Sequence, residues 1–436
     1  MSEDTDIVVI GAGAAGLSVA RRLLAAGRRV IVLEARDRIG GRIHTLHLPD
    51  WPAPVEAGAQ FIHGEPAEIR DLVRSKHLAT ESVEGEHFHW KEGRFQQLDF
   101  DRVWSQILGR LRNAAAEDLS FAEFLARHCS DLPADEAAQA VAYVEGFNAA
   151  DSRLISSRWV LDSDAESGQA SGAFRLAGGY DGLLDMLIAG ADGSRLDVRL
   201  STTVSAVRWA RGQVEIRATS SATGTALEPI RVPRAIITLP LGVLRCAPGE
   251  PGTVKFIPDL AAKWEQARSL HFGSVIKLFL RFREPFWQQA GLTDLGFLHA
   301  PDEPVQTWWT TNPVPSVVLI GWVGGPNVAR FSGMSETEIL ACALDSLSRI
   351  FSIDRPRLVR LLEASRVANW QNDPFSRGAY SYVGVGGNHA TQALAAPVAN
   401  TLFFAGEATH YELSGTVAGA IASGNRAADE VLAVSG

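Results

Sequence analysis

Cysteine is scarce: Cys129, Cys246 and Cys342 are three in 436 residues, odd in number and far apart. That excludes a disulfide framework and a thiolate metal centre, and buried inert thiols are expected. Positive charge is also short. Lys and Arg total 41 against 50 Asp and Glu, a net charge of −9, so no basic footprint for nucleic acid or anionic lipid is present. No apolar run approaches the ~18 residues needed to span a bilayer. The acidic opening Met1 to Asp6 lacks the basic and apolar regions of a secretory signal. There is no internal repeat and no low-complexity linker. Together these absences point to a cytoplasmic small-molecule enzyme, monomer or homodimer, without nucleic-acid or membrane partners.

Metal ligands are equally thin. His87-Phe88-His89, near Glu84 and Glu86, puts two imidazoles on one side of a strand, half of a metal site, but no third ligand is identifiable. A solvated strand edge is the expectation there, and no metal.

What is present is a dinucleotide signature. Ile7 to Ile10, then Gly11-Ala12-Gly13-Ala14-Ala15-Gly16, then Val30 to Leu33 closed by Glu34 read as strand, glycine turn, helix, strand and acid. Gly11 permits the turn, Gly13 lets the backbone approach a pyrophosphate, and Gly16 lets the helix pack close on the strand. The helix start offers free N–H groups to phosphate, with Ala14 and Ala15 beside it. Glu34 is placed for a ribose 2′-hydroxyl, which favours FAD or NAD over a 2′-phosphorylated cofactor. Arg38-Ile39-Gly40-Gly41-Arg42 follows, bringing two glycines and a fork-shaped cation to the same pyrophosphate.

Further along, Pro66 to Leu154 reads as helical and polar, an inserted region. Glycines return at Gly178-Gly179, followed by a helix over Leu183 to Ile188 and strands at Val204 to Val207 and Val214 to Ile216. Ala218 to Glu228 has the composition of a hairpin tip. Ala235 to Pro240 and Leu402 to Glu407 read as strands buried on both faces. Val275 to Phe282 and Ser316 to Trp322 read as strands, and a helix capped by Ser335 and Glu338 carries Leu340, Ala343, Leu344, Leu347 and Phe351 on its core face. Val417 to Leu432 closes the chain as a helix. The dinucleotide texture thus occurs at the start, middle and end. The expected architecture is α/β: residues 1–65, 170–245 and 381–436 form a discontinuous Rossmann-like nucleotide domain. Residues 66–169 and 246–380 form an inserted α+β substrate domain.

Several separated motifs resemble the flavin-containing amine oxidases, the family of monoamine oxidases, polyamine oxidases and flavin histone demethylases. They are the glycine turn with Glu34, the R-x-G-G-R run, Val55 to Gly64, Gly178-Gly179, Lys277, Trp370, Gly378-Ala379-Tyr380, and Phe404 to Glu407 with Gly415 to Ala420. The resemblance implies a p-hydroxybenzoate hydroxylase-like topology and an FAD site on Gly11, Gly13, Ala14, Ala15, Gly16, Glu34, Ala35, Arg36, Gly41 and Arg42. It extends that site to Gly58, Ala59, Gln60, Phe61, Val204, Trp370, Gly406, Glu407, Thr416 and Val417. By alternation alone Lys277 is a solvated lysine on a half-exposed strand. The resemblance instead makes it the residue that holds a water at flavin N5 and assists electron transfer to oxygen.

Two departures from monoamine oxidase bear on the chemistry. Ala379 stands where covalent-flavin members carry cysteine, so the FAD should be non-covalent. Tyr380 matches one of two substrate-facing tyrosines, while Thr416 takes the place of the other. Gln60, Phe61 and Ile62 follow Ala59 where amino-acid oxidases place a carboxylate-binding arginine, which disfavours an amino-acid substrate. Phe61 to Gly64 looks most like the polyamine oxidases, in which His63 lies at the mouth of the site. Glu84, Glu86 and Asp151 are candidates for a distal ammonium, and Trp308 or Trp309 for a channel wall, with core packing for the other. The expected activity is oxidation of a primary or secondary amine, a polyamine among the candidates, to an imine by hydride transfer to flavin N5. Hydrolysis then follows, and O2 is reduced to H2O2. Lys277, Tyr380, Thr416 and His63 carry the site. The alternatives are a carbon–carbon desaturase or protoporphyrinogen oxidase relative, and a catalytically idle flavin-binding module.

Overall fold

The computed structural model describes residues 7–75, 78–97, 100–114, 117–167, 172–189 and 193–434. The acidic opening to Asp6 and the domain boundary expected at 169/170 lie outside them.

The apolar runs Ile7–Ile10 and Val30–Leu33 are buried at every position, as strands covered on both faces must be. With Leu196–Arg199, Arg234–Ile237 and Leu402–Phe404 they form a parallel five-stranded sheet, Ile7–Ile10 at its centre between Val30–Leu33 and Arg234–Ile237. The helices Ala14–Ala25 and Val417–Ala433 pack on it and on each other. Small residues allow that approach: a Cβ on Gly424 would lie 2.4 Å from the Ala15 carbonyl oxygen, and one on Gly16 would lie 1.9 Å from the Gly11 oxygen.

A second sheet has seven strands in the order Leu362–Asn369, Val275–Phe282, Val318–Gly324, Thr307–Trp309, Leu295–His299, Glu86–Lys91, Arg94–Gln97. One face of Val275–Phe282, carrying Ile276, Leu278, Leu280 and Phe282, joins the core built on the helix Glu336–Phe351. Ser335 and Glu338 form the expected reciprocal cap of that helix. Its buried stripe is broader than expected: Ile339 and Ile350 are buried with Ala343, Leu344, Leu347 and Phe351, while Leu340 is only half-buried at its flank.

Residues 66–154 depart from the helical expectation. They contain helices Ala67–Ser75, Phe100–Asn113, Phe121–His128 and Ala134–Phe147, but also strands Thr80–Ser82, Glu86–Lys91 and Arg94–Gln97. Nor is His87-Phe88-His89 a sheet edge, although His87 itself is exposed. Its strand is paired on both sides, in parallel with Leu295–His299 and antiparallel with Arg94–Gln97, and His89 is only 6% exposed. Among the described residues no group of three or more His, Cys, Asp or Glu is arranged to hold a metal ion. Among the described residues no helix is long and apolar enough to cross a membrane.

The close packing at Gly16 yields a test of the fold. Gly16→Ala forces a methyl group against a backbone oxygen of the preceding turn, so it should destabilise the protein by about 1–3 kcal/mol. Thermal unfolding checks this, a lowered midpoint being the expected result.

Candidate active site

A cavity of about 1060 Å³ runs from the glycine turn at the parallel sheet to the seven-stranded sheet. At its first end, Gly11 adopts φ +108°, and a Cβ there would meet Thr238 Oγ1 at 2.6 Å. Gly13 differs: a Cβ on it would meet only Gly40 O, at 3.8 Å, so the missing side chain leaves open space at the start of a 12-residue helix. The first N–H groups of that helix have no intrahelical partner, and with the positive end of the helix dipole they suit a phosphate.

Glu34 closes the Val30–Leu33 strand, buried. Its Oε2 accepts from Ala12 N at 2.9 Å and its Oε1 from Arg36 N at 3.0 Å, which holds the carboxylate beside the turn. Arg36 is fixed in turn by Asp373 at 2.7 Å. The two arginines of the R-x-G-G-R run do different work. Arg38 donates to the carbonyls of Ile39, Gly41 and Ile43 and so braces the loop, away from the cavity wall. Arg42 lines the cavity, its Nη1 donating to Ala379 O and Glu407 Oε1, each at 2.7 Å. The buried Glu407 carboxylate also accepts from Ser381 Oγ and, at 2.8 Å, from Gly415 N. Residues 42, 379–381, 407 and 415 are thereby drawn to one point.

Lys277 is 2% exposed, which overturns the solvated-strand reading. Alternation correctly turned it away from the apolar core, but the other face of the strand meets the cavity and the 55–60 segment instead of bulk water. Its Nζ donates to Glu56 O at 2.7 Å and Gly58 O at 3.3 Å, and lies 5.6 Å from the Trp309 ring centre. Trp370 Nε1 donates to the intervening carbonyl, Ala57 O, at 2.8 Å. An ammonium has three donors, so one N–H of Lys277 remains beyond these two contacts. Burial pushes the Lys277 pKa well below its ordinary value, against the pull of the Glu56 carboxylate. Burial raises that of Glu56, although Tyr180 N and Thr45 Oγ1 donate to its carboxylate.

The strand register extends Lys277 into a row. Lys277 lies opposite Trp322, Trp322 opposite Thr307, Thr307 opposite His299, and His299 opposite His89. A parallel row runs Phe279, Ile320, Trp309, Phe297, His87. Except for Phe279 and Ile320, all of these residues line the cavity, so one sheet face is its wall. Opposite stand residues of three helices: Asp101, Trp104, Ser105 and Leu108; Gln139, Ala142 and Tyr143; Trp159, Val160, Ser163 and Asp164.

All the expected site residues line this cavity except Gly16, whose place is the helix–strand contact. Tyr380 lines it with its hydroxyl donating to Phe147 O at 2.6 Å, and burial raises its pKa. His63 packs against Phe147, ring centres 5.0 Å apart, and burial lowers its pKa to about 4, so it is neutral at physiological pH. Thr416 caps the Val417–Ala433 helix: its hydroxyl accepts from Gly419 N at 2.9 Å and donates to Leu413 O at 2.7 Å. Trp309 is on the wall and Trp308 is in the core, as their alternation in one strand requires.

The distal carboxylate candidates fail. Glu84, Glu86 and Asp151 are not on the cavity wall, and Asp151 pairs with Arg153 at 2.7 Å. The wall is formed by strand register instead. His299, which the register brings to the wall with His87 and His89, had no signal of its own in the sequence, where only the His87-Phe88-His89 pair stood out.

The chain is 29% identical to polyamine oxidase 3 of Oryza sativa subsp. japonica over 98% of its own length and 89% of that protein. It is 30% identical to lysine-specific histone demethylase 1 homolog 2 of the same plant, over 98% of its own length and 57% of the relative. A solved putrescine oxidase with putrescine bound superposes with a TM-score of 0.80 at 20% identity, covering 98% of this chain and 99% of that one, which shows the shared fold. The match to the flavin containing amine oxidoreductases runs from residue 14 to residue 432, and the chain belongs to that family as an FAD-dependent amine oxidoreductase.

Proposed function

We propose that the chain oxidises an extended primary or secondary amine to an imine, which water hydrolyses to a carbonyl compound and an amine, with O2 reduced to H2O2. The observation that carries this reading is Lys277: a buried ammonium on the cavity wall, tied by two of its donors and with one left over. When bound, FAD supplies a hydride acceptor for the amine α-carbon and a route for the electron pair to oxygen. Its phosphates belong at Gly13, Ala14, Ala15, Gly41 and Arg42, the adenosine side at Glu34, Ala35, Arg36 and Val204. The flavin side belongs at Gly58 to Phe61, Trp370, Gly406, Glu407, Thr416 and Val417. The open space at Gly13 and the buried donors around Glu407 support that placement. The same residues support a nucleotide domain of 1–65, 170–245 and 381–436 and a substrate domain of 66–169 and 246–380.

The protein contributes orientation and an aromatic wall of Phe61, Trp309, Trp322 and Tyr380 that favours the uncharged amine. Lys277 holds a proton donor where negative charge develops on oxygen. His63, neutral through burial, and Tyr380 shape the pocket, and Thr416 leaves it wider than a second tyrosine would.

Four outcomes test the reading. Acid precipitation should leave the yellow flavin in the supernatant, because Ala379 offers no nucleophile for a covalent link; flavin in the pellet contradicts this. Gly13→Val should fill the open space at the turn and give colourless protein, measured as FAD per chain by absorbance. Lys277→Met should slow reoxidation of the reduced enzyme by oxygen in stopped flow. The pH dependence has a definite sign: with the Lys277 pKa depressed, the ammonium is lost as pH rises through the neutral to alkaline range. Reoxidation by the native enzyme should therefore fall with pH, and that of Lys277→Met should stay flat.

A further inference from the structure

Among the described residues the imidazoles of His87 and His299 make no hydrogen bond to the protein, although both line the cavity. They stack with ring centres 5.8 Å apart and planes 28° apart, and His87 also lies 4.8 Å from the Phe297 ring centre. Beneath them, His89 Nδ1 is held by Gln139 Nε2 at 3.4 Å. An amide NH2 only donates, so this fixes His89 as a neutral, buried neighbour. Along the row from Lys277, four strand spacings of about 4.8 Å put His299 and His89 roughly 14 to 19 Å from the ammonium.

We propose that His87 and His299 form a distal subsite for an uncharged hydrogen-bonding end of the substrate, an amide or a hydroxyl, in place of a second ammonium. This rests on the amine-oxidation reading and specifies its substrate. Each neutral imidazole presents one donor and one acceptor, which an amide or a hydroxyl satisfies in both senses. Burial, reinforced by the neighbouring His87 and His89, lowers the His299 pKa to about 3, and burial lowers that of His87 in spite of Asp101. At His299, the more deeply buried of the two, the environment that keeps the imidazole uncharged imposes the same desolvation cost on a substrate cation, whereas the His87 ring is exposed where the cavity opens. Of the nearby carboxylates, Asp101 is exposed on the cavity wall, as His87 is, and Asp164 Oδ1 already accepts from Trp104 Nε1 at 3.0 Å.

The test compares three amines on the FAD-loaded enzyme under anaerobic conditions, reading flavin reduction by stopped flow: dodecylamine, N-(12-aminododecyl)acetamide and 1,12-diaminododecane. The acetamide should lead the diamine in kcat/KM by about tenfold or more. In His87→Phe/His299→Phe its advantage over dodecylamine should disappear, chiefly through KM, and His299→Gln should keep part of it by retaining an amide donor and acceptor. Because each comparison is a ratio within one variant, a general loss of folding does not mimic the result. A leading diamine assigns the far end to Asp101 and overturns the subsite, as does an acetamide preference that survives in the double variant. Equal rates for all three amines overturn the subsite alone, whereas no reduction of bound flavin by any of them overturns amine oxidation with it.

Discussion

Three successive carbonyls, those of Glu56, Ala57 and Gly58, lie at the end of a two-residue strand and just after it, and take their hydrogen bonds from side chains distant in sequence. Each buried carbonyl left unpaired costs about 1–3 kcal/mol. Lys277 satisfies the first and third, and Trp370 the second. Both donors come from the seven-stranded sheet or the turn after it, whereas the carbonyls belong to the segment that follows the dinucleotide turn. The bonds therefore set the two sheets against each other, and the cavity is the space their alignment leaves. A buried cation is costly unless paired, and here the carbonyls, the aromatic faces of Phe279 and Trp309 and the Glu56 carboxylate share that cost. The side chain that makes the structural bonds is thus also the one we propose as the proton donor to oxygen.

The other end depends on a comparable junction. Glu407 gathers Arg42, Ser381 and Gly415, residues far apart in the chain, around one buried carboxylate. The cavity takes in both junctions, and beyond Lys277 its wall continues through Trp322 and Thr307 to His299 and His89. Tyr380, His63 and His299 are all held uncharged by burial, so the channel offers shape and hydrogen bonds more than charge. That arrangement suits a neutral amine reaching the cofactor, since the free base and not the ammonium can give up a hydride.

Much of this was legible in the sequence because its causes are local. Gly11, Gly13 and Gly16 have roles set by their own turn, Glu34 by the strand before it, and Ser335 with Glu338 by a helix start. The Lys277 environment was not legible from alternation, which identifies two faces of a strand but not what covers the second. The strand at His87 to His89 was read as an edge because its partner Leu295–His299 lies some two hundred positions away. For the same reason the carboxylates near it in sequence were wrong candidates, and His299, which register brings to the wall beside His87 and His89, was missed. Of the two arginines in the R-x-G-G-R motif only Arg42 was expected at the site, and the folded loop shows Arg38 as its brace.

The account makes one spatial claim above the others: cofactor and amine meet at Lys277, and the amine then lies along the Trp322, Thr307, His299 row. A crystal structure of the FAD-loaded protein, reduced anaerobically and soaked with N-(12-aminododecyl)acetamide, tests it most directly. The predicted result places the redox edge of the flavin beside Lys277, the amine nitrogen at that edge and the amide between His87 and His299. A flavin turned with that edge away from Lys277, or a chain lying outside the aromatic wall, would contradict it.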